Sequence, residues 1–122
     1  MRIIVIAERH LLMADAKPSP DVLRTIVGGL PQALSVRGPG HVRGYCDDMG
    51  PMKGDAPNVL ATLFYRKHGY IGERGTIVGA VALTGGDGTG GYADCPHWVL
   101  EELNALVPQA TAINDLATAR PN

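Results

Sequence analysis

Two continuous apolar runs, far apart in the chain, constrain the fold of this sequence more than any other feature. The first covers residues 2–7 (RIIVIA) and the second covers residues 76–83 (TIVGAVAL). Both are short and rich in β-branched residues, which strands favour. An apolar run without polar alternation is typical of a strand that is covered on both faces. We therefore predict a buried strand at residues 2–7 and a central strand at residues 76–83.

Two further strands are predicted between these runs. Residues 32–37 (QALSVR) and 41–47 (HVRGYCD) alternate between apolar and polar positions, as a half-buried strand does. The Gly-Pro-Gly triplet at residues 38–40 is typical of a turn. Residues 47–50 (DDMG) give a second turn signal directly after the second strand. The middle of the chain therefore reads as a strand, a turn and a second strand.

The first predicted helix has clear signals at both of its ends. Ser19 can accept a hydrogen bond from the free N–H groups of the first turn, and Pro20 suits the first helical position. Gly28 and Gly29 are typical of a helix end. Apolar residues between these points fall on one face, so we predict a helix over residues 20–28.

Two more helices are predicted towards the C-terminus. Asn58 is a candidate cap for a helix over residues 58–68, which Gly69 would end. A last helix over residues 96–107 has an apolar stripe at helical spacing. Pro108 is expected to end that helix, because proline has no N–H group to continue the hydrogen-bond ladder.

Together these elements predict an α+β fold with a single domain over residues 1–107. A small, mostly antiparallel sheet of about four strands packs against two to three helices. Residues 8–17 are unclear, and the segment HLLMADA is either an extension or a short turn of helix. Residues 51–57 are predicted to be loop, and residues 108–122 a flexible C-terminal tail. A sheet of this size has exposed edges, and the apolar run at residues 76–83 suggests a homodimer.

Composition places the chain among ordinary globular proteins. Hydrophobic residues make up 45% and charged residues 19% of its 122 positions, which is enough apolar content for a core. The formal net charge is -1, which excludes a strongly basic protein of the kind that binds nucleic acid through charge alone. Nucleic acid is therefore not the expected partner.

The sequence predicts a cytoplasmic protein without a membrane segment. No apolar run approaches the roughly 18 residues of a transmembrane helix. The N-terminal run is too short for a signal peptide, because Glu8, Arg9 and His10 interrupt it. Cys46 and Cys95 do not make a disulfide framework, so we expect two free thiols.

Several short motifs follow one another along the chain in the order of the predicted elements. They are Ile26-Val27-Gly28-Gly29, Cys46-Asp47-Asp48-Met49-Gly50, Met52-Lys53-Gly54, Pro57-Asn58 and Ile77-Val78-Gly79-Ala80-Val81. In this order the chain resembles domain-of-unknown-function family 3846, over about residues 3–107. It departs from the family at Gly54-Asp55-Ala56, where Gly-Leu-Pro is usual, and in a glycine loop that is longer than usual.

The resemblance implies a biological setting for the protein but no catalytic or binding activity. The family consists of small proteins from phage, plasmid and chromosomal genes of bacteria, and it carries no established activity. The resemblance therefore implies an accessory protein of a mobile element that works in the cytoplasm of a bacterial host cell.

The glycine loop at residues 84–91 (TGGDGTGG) contains the spacing G-x-G-x-x-G after a predicted strand. A dinucleotide site also needs a helix that begins at the loop and a following βαβ unit, and neither is predicted here. We interpret the loop as mobile and leave open two alternatives, cofactor binding and phosphate binding by backbone N–H groups. In those alternatives Gly86 and Gly88 are the candidate ligand-binding residues. We predict no cofactor.

Acidic, cysteine and histidine residues do not predict a metal or a catalytic site. Asp47 and Asp48 are adjacent in a turn that directs their side chains apart, so a plain turn is preferred over a pair of working carboxylates. Cys95 and His97 come closest to a zinc motif, but one such pair is too few for a structural site. A catalytic cysteine–histidine pair stays open, because its partners need not be neighbours in the sequence.

Four polar side chains are predicted as ligand contacts. Arg66 and Lys67 belong to a basic run in the last turn of the helix over residues 58–68, where positive charge complements the helix dipole. The same run could contact an anionic ligand or nucleic acid. With Lys53 and Asn58, these residues are the predicted ligand-binding set beside the glycine loop.

Three hypotheses for function follow. The first is a non-enzymatic phage or mobile-element accessory protein that binds a host protein or a small anionic ligand such as a nucleotide, and so counters host defence. The second is a small nucleotide-binding domain or enzyme that uses the glycine loop at residues 85–91. The third is a DNA-associated regulator, which the net charge disfavours. Met49 and Met52 flank a turn and are predicted to be partly exposed, as in a protein contact surface.

Overall fold

The computed structural model describes residues 1–36, 41–72 and 74–118. In these ranges the chain forms one antiparallel sheet of six strands together with four helices, so the fold is α+β as predicted. The sheet is larger than the predicted sheet of about four strands. The predicted turn at residues 38–40 lies outside the described residues.

The elements alternate along the chain. The strands are β1 (Arg2–Ile6), β2 (Leu11–Asp15), β3 (Pro31–Val36), β4 (His41–Asp47), β5 (Val81–Gly86) and β6 (Tyr92–Ala93). The helices are α1 (Pro20–Val27), α2 (Gly50–Lys53), α3 (Val59–Lys67) and α4 (His97–Thr118). The predicted helices at residues 20–28 and 58–68 are confirmed, because Ser19 and Asn58 cap them as expected.

The two apolar runs meet in the middle of the sheet. The strand order is β2-β1-β5-β4-β3, and the short β6 pairs with the end of β5. Leu83 of β5 lies opposite Ile4 of β1 on one side and opposite Gly44 of β4 on the other. Because β5 is paired on both sides, residues 81–83 of the run offer no free edge, and the homodimer stays a prediction.

Helices cover both faces of the sheet. On one face α3 and α4 pack against side chains that include Ile4, Ile6 and Leu83, all fully buried. On the other face α1 packs against Ile3 and Ala82. The alternation of β1 between these two clusters explains why its sequence is apolar at every position.

The central strand begins later than the sequence predicts. β5 covers Val81–Gly86 instead of residues 76–83. Gly79 has a left-handed φ of 74°, and its N–H donates to the Ala56 carbonyl, so the extended chain is broken there. β5 continues through Gly85, where a Cβ would overlap the Asp94 carbonyl, so the close approach of this backbone requires glycine.

Three short elements were not predicted. β2 lies in residues 8–17, which show no pattern because Leu12 and Met13, on opposite faces, are both exposed. β6 is a two-residue strand after the glycine loop, and α2 occupies residues that were predicted to be turn and loop. β2 and β6 depend on pairing with a neighbouring strand, and α2 is joined to Asp47 and Gly28 through Lys53, so local propensity alone does not indicate them.

The last helix does not end at Pro108. α4 continues through this proline to Thr118, and Leu103 and Ala110 on either side are both buried. Packing of the apolar stripe against the sheet and α3 therefore outweighs the helix hydrogen bond that proline removes. The prediction that the helix ends at residue 107 is wrong, and residues 108–118 are helical.

Candidate functional site

The side chain of Asn58 links three segments in the centre of the protein. Its side chain is fully buried, and Nδ2 donates to the carbonyl oxygens of Ile6 and Gly79, both at 2.8 Å. Its Oδ1 accepts from the N–H of Ala61 at 3.1 Å and so caps α3. These bonds tie β1, the segment before β5 and α3 together. The amide predicted as a ligand contact is therefore engaged inside the fold.

Lys53 is held at a corner where three of the motif segments meet. Its Nζ donates to Asp47 Oδ2 at 2.8 Å and to the Gly28 carbonyl at 3.1 Å. Asp47 is buried and also accepts from the N–H of Met49 at 2.9 Å. Gly29 lies against the same carboxylate, where a Cβ would overlap it. The motif residues thus meet in space and join the end of α1, the end of β4 and α2.

Electrostatics at this corner reinforce the pair. The hydrogen bond from Lys53 holds the pKa of Asp47 below its ordinary value, and the same bond raises the pKa of Lys53. Asp48 is exposed whereas Asp47 is buried, which confirms that the turn directs the two carboxylates apart. The two aspartates therefore do not form a paired acid–base site.

The basic run at the end of α3 is divided among local contacts. Arg66 donates from Nε and Nη2 to the Gly75 carbonyl, at 3.0 and 2.7 Å. Lys67 and His68 both pair with Glu102 of α4. The side chains of Arg66, Lys67 and His68 therefore do not converge on one anion-binding point.

The glycine loop is closed by its own carboxylate. Asp87 Oδ1 accepts from the N–H of Thr89 at 2.8 Å, from the Thr89 hydroxyl at 2.6 Å and from the N–H of Gly91 at 3.0 Å. These bonds hold the pKa of Asp87 below its ordinary value. Two N–H groups that could cradle a phosphate are thus already satisfied by the loop itself.

The surroundings of the loop also differ from a dinucleotide site. Gly86 ends β5 beside the Arg43 guanidinium, and Gly88 has a left-handed φ of 83°. The loop leads into β6 rather than into a helix N-terminus. Gly86 and Gly88 therefore act as turn and packing residues in this arrangement.

The two thiols lie in one hydrophobic cluster. Cys95 is fully buried, and burial raises its pKa to about 12. Cys46 packs against the same cluster, and burial together with Asp47 raises its pKa as well. Both cysteines are free. A thiolate nucleophile is disfavoured at both positions, because the thiolate is the reactive form.

A cleft lies between the turn that joins β1 to β2 and the outer half of α4. Its volume is ≈330 Å³, which falls within the range of small-molecule sites. Leu60 and Ala110 form an apolar floor with Leu11 and Val107. The full lining comprises Ala7, Glu8, Arg9, His10, Leu11, Leu12, Leu60, Asn104, Val107, Ala110, Thr111 and Asn114.

The rim of this cleft carries the polar groups that a ligand would meet. Arg9 is exposed in the turn and has no ion-pair or hydrogen-bond partner among the residues that the structure describes. Asn104 lines the opposite wall. Pro108 lacks an N–H, so the backbone carbonyl of Asn104 is without its usual helical hydrogen bond. The cleft thus offers a cation and a side-chain amide around an apolar floor.

None of the predicted ligand-binding residues lines this cleft. It is built from the turn in residues 8–17, from Leu60 of α3 and from α4 on both sides of Pro108. The sequence predicted no regular structure for the turn or for the helix beyond Pro108. A signal was present, because Leu103, Val107, Ala110 and Asn114 continue at a helical spacing of three and four residues. The proline overrode that signal in the prediction.

A smaller cavity lies beside α3 and involves one of the predicted residues. Its volume is ≈270 Å³, and Arg66 lines it together with Leu63, Thr76 and Ile113. The guanidinium of Arg66 is directed to Gly75, so the walls of the cavity are largely apolar. This arrangement has less polar chemistry to offer than the cleft at Arg9.

The described ranges contain neither a metal-binding cluster nor a membrane-spanning helix. Within residues 1–36, 41–72 and 74–118, no cluster of three or more histidine, cysteine, aspartate or glutamate side chains could hold a metal ion. Over those same ranges, no helix has both the length and the apolar character needed to span a bilayer.

Comparison with known proteins gives no relative for this chain. No protein-family model, no curated protein and no solved structure matches it. The family resemblance of the motifs therefore stays a prediction.

Proposed function

We propose that this chain is a non-enzymatic binding protein that holds a small anionic ligand in the cleft between the β1–β2 turn and α4. The observation that carries the proposal is the exposed, unpaired Arg9 above an apolar floor in a cleft of ≈330 Å³. Buried apolar walls with a few polar groups are the usual composition of a ligand site. The proposal differs from the sequence prediction in its residues, but retains its ligand class.

The lining defines the chemistry of the ligand. One guanidinium favours a carboxylate or phosphate group, which it can bind through two parallel hydrogen bonds. The side-chain amide of Asn104 both donates and accepts, so it favours a polar group with donors and acceptors, such as a nucleobase edge. Glu8 lies in the same turn as Arg9, so the cleft suits a ligand of low charge better than a polyanion.

The alternative readings have less support from the geometry. A nucleotide-binding enzyme that uses residues 85–91 would need loop N–H groups that Asp87 already occupies. A DNA-associated regulator would need positive side chains on one surface, whereas Lys53, Arg66 and Lys67 make separate local contacts. The phage or mobile-element context, with its bacterial cytoplasm, rests on the motif resemblance and is part of this proposal.

A protein partner is the second candidate, and one observation favours it. Leu30, Met49 and Met52 are exposed by 59%, 40% and 81% at the corner where Lys53 meets Asp47. The N–H of Asp48 donates to the Leu30 carbonyl, which brings these apolar side chains onto one surface. Flexible methionines on an exposed patch suit a protein contact. A host protein whose defence role is blocked by this contact would fit the first sequence hypothesis.

The ligand proposal is tested by native mass spectrometry with a panel of nucleoside monophosphates and small carboxylates. We expect a one-to-one complex with at least one member of the panel. Arg9→Ala should weaken it by roughly tenfold to a hundredfold, because a charge-assisted bond is lost. Arg24→Ala, which removes an exposed arginine of α1 on the other side of the sheet, should bind as the wild type does.

A second variant tests the space in the cleft independently of the charge of Arg9. Thr111→Trp places a large ring in the cleft and should abolish binding while the circular dichroism spectrum stays native. Equal binding by the wild type and both cleft variants would contradict the proposal. If no ligand binds, affinity capture from a bacterial lysate with Met52→Asp, and with Leu116→Asp as the matched control, tests the protein-partner candidate instead.

A further inference from the structure

β2 is an edge strand whose outer backbone groups are unpaired. The N–H of Ala16 donates to the Met1 carbonyl, and the N–H of Ala7 donates to the His10 carbonyl. Hydrogen-bonded pairs alternate along an antiparallel ladder, so the even-numbered residues of β2 bond to β1. Leu11, Met13 and Asp15 therefore direct their N–H and C=O groups away from the sheet.

The side chains of β2 do not block the pairing of this edge with another strand. Leu12 is 53% exposed and Met13 is 60% exposed, and Leu11–Asp15 contains no proline, lysine or arginine. Natural edges are usually blocked by such residues or by a bulge, and β1 and β2 pair without one. The opposite edge, β3, begins with Pro31, which has no N–H to donate.

We propose that β2 pairs with β2 of a second copy of this chain, antiparallel and centred on Met13. The outward groups set this register, because Met13 then faces Met13 of the second copy and Leu11 faces Asp15. The two methionines cover one another on the face of the sheet that carries α4. On the other face, Leu12 covers Ala14 of the second copy. One sheet then runs through both molecules.

Charge favours a second copy as the occupant of this edge. The side chain of Asp15 accepts from the N-terminal ammonium at 2.8 Å and is still 95% exposed at one end of β2, and Arg9 is exposed in the turn beyond the other end. In the antiparallel arrangement Asp15 faces Leu11 of the second copy, which places the carboxylate beside the turn that carries Arg9. The twofold axis produces this contact twice. Contacts of a five-residue strand bury a small area, so the dimer should be weak and concentration-dependent.

Sedimentation equilibrium over a range from low micromolar to millimolar protein tests the oligomeric state. The wild type should move from the monomer mass to the dimer mass. Met13→Lys brings two like charges together at the axis and should keep the chain monomeric throughout. Leu116→Lys, which adds the same charge at an exposed apolar side chain of α4, should dimerise as the wild type does.

Cysteine cross-linking tests the register itself. Hydrogen-bonded partners are about 5.5 Å apart at Cα, which a disulfide can bridge, so Met13→Cys should give a covalent dimer on mild oxidation. Asp15→Cys should not, because the two copies of residue 15 are about 14 Å apart along the strands. A wild type that stays monomeric, or a dimer that survives Met13→Lys, overturns the assignment. Purification of the monomer with a foreign extended peptide on β2 would also overturn it, in favour of a different partner.

Discussion

Asp47 and Lys53 form an ion pair of 2.8 Å in which the carboxylate is buried and the ammonium is about half exposed. The pair connects the last residue of β4 with the last residue of α2, and Lys53 continues to the Gly28 carbonyl at the end of α1. Gly29 leaves the space that the carboxylate fills. Residues from three of the sequence motifs therefore serve one structural contact.

We predict that this pair stabilises the fold within a defined pH window. The folded-state pKa of Asp47 lies below 3.8, so its contribution is complete above pH 3.8 and is lost as the pH falls through the lowered value. The folded-state pKa of Lys53 lies above 10.5, so its contribution is complete below pH 10.5 and is lost as the pH rises through the raised value. Urea unfolding of the wild type and of Asp47→Asn across this range measures the window.

The control for this prediction is the neighbouring exposed carboxylate. Asp48→Asn should change the free energy of unfolding by no more than about 0.5 kcal/mol, as surface substitutions usually do. A wild type and an Asp47→Asn variant that lose stability in parallel on acidification would show that the pair contributes nothing.

Asn58→Ala should destabilise the protein by about 3 kcal/mol. The change leaves the carbonyl oxygens of Ile6 and Gly79 and the N–H of Ala61 without their partner, at about 1 kcal/mol each. Chemical denaturation measures the loss. Asn104→Ala, an asparagine on the surface of α4, should stay within about 0.5 kcal/mol of the wild type. Equal stabilities for the two variants would contradict the role given to Asn58.

Gly44 and Tyr65 should be coupled in stability. A Cβ on Gly44 would overlap the Tyr65 hydroxyl, which is buried and has no hydrogen-bond partner among the described residues. Gly44→Ala should therefore cost about 1–3 kcal/mol. Tyr65→Phe removes an unsatisfied hydroxyl, so it should be neutral or stabilise by up to about 1 kcal/mol. In a double-mutant cycle, Gly44→Ala should cost less in the Tyr65→Phe background, and additive effects would refute the coupling.

The titration of the Asp87 carboxylate should be visible in the amide resonances of the glycine loop. The hydrogen bonds from Thr89 lower the pKa of Asp87, so the loop closure it provides is complete above pH 3.8 and is lost as the pH falls through the lowered value. The amide shifts of Thr89 and Gly91 should titrate with a midpoint below pH 3.8. Asp87→Ala should remove this titration, and Asp21→Ala in α1 should leave it unchanged. A midpoint at the ordinary value would show that the loop is open.

Pro108→Ala should stabilise α4. A proline inside a helix costs about 3 kcal/mol relative to alanine, so we expect a gain of about 1–3 kcal/mol. Pro51→Ala, at the start of α2 where proline is tolerated, should give no such gain. Thermal unfolding measures both.

Local signals were sufficient to predict much of the fold. Ser19 and Asn58 cap their helices through side-chain bonds to N–H groups three residues away, so the starts of α1 and α3 can be read from a few neighbouring residues. β1 and β4 likewise follow from their own apolar and alternating patterns. The sequence pointed to the motifs at Gly28, Asp47 and Lys53, but the contact among them became apparent only in three dimensions.

The remaining features were decided by strand pairing and tertiary packing rather than by local propensity. β2 exists because β1 supplies its hydrogen bonds, although its exposed side chains give no strand pattern. α4 passes through Pro108 because the stripe from Leu103 to Ala110 is buried against the core. The sequence by itself determined the helix caps, the apolar strands and the α+β class, since these depend on neighbouring residues. The cleft at Arg9 and the open edge at Met13 arise only when segments far apart in the chain are packed together, and tertiary structure alone decided them.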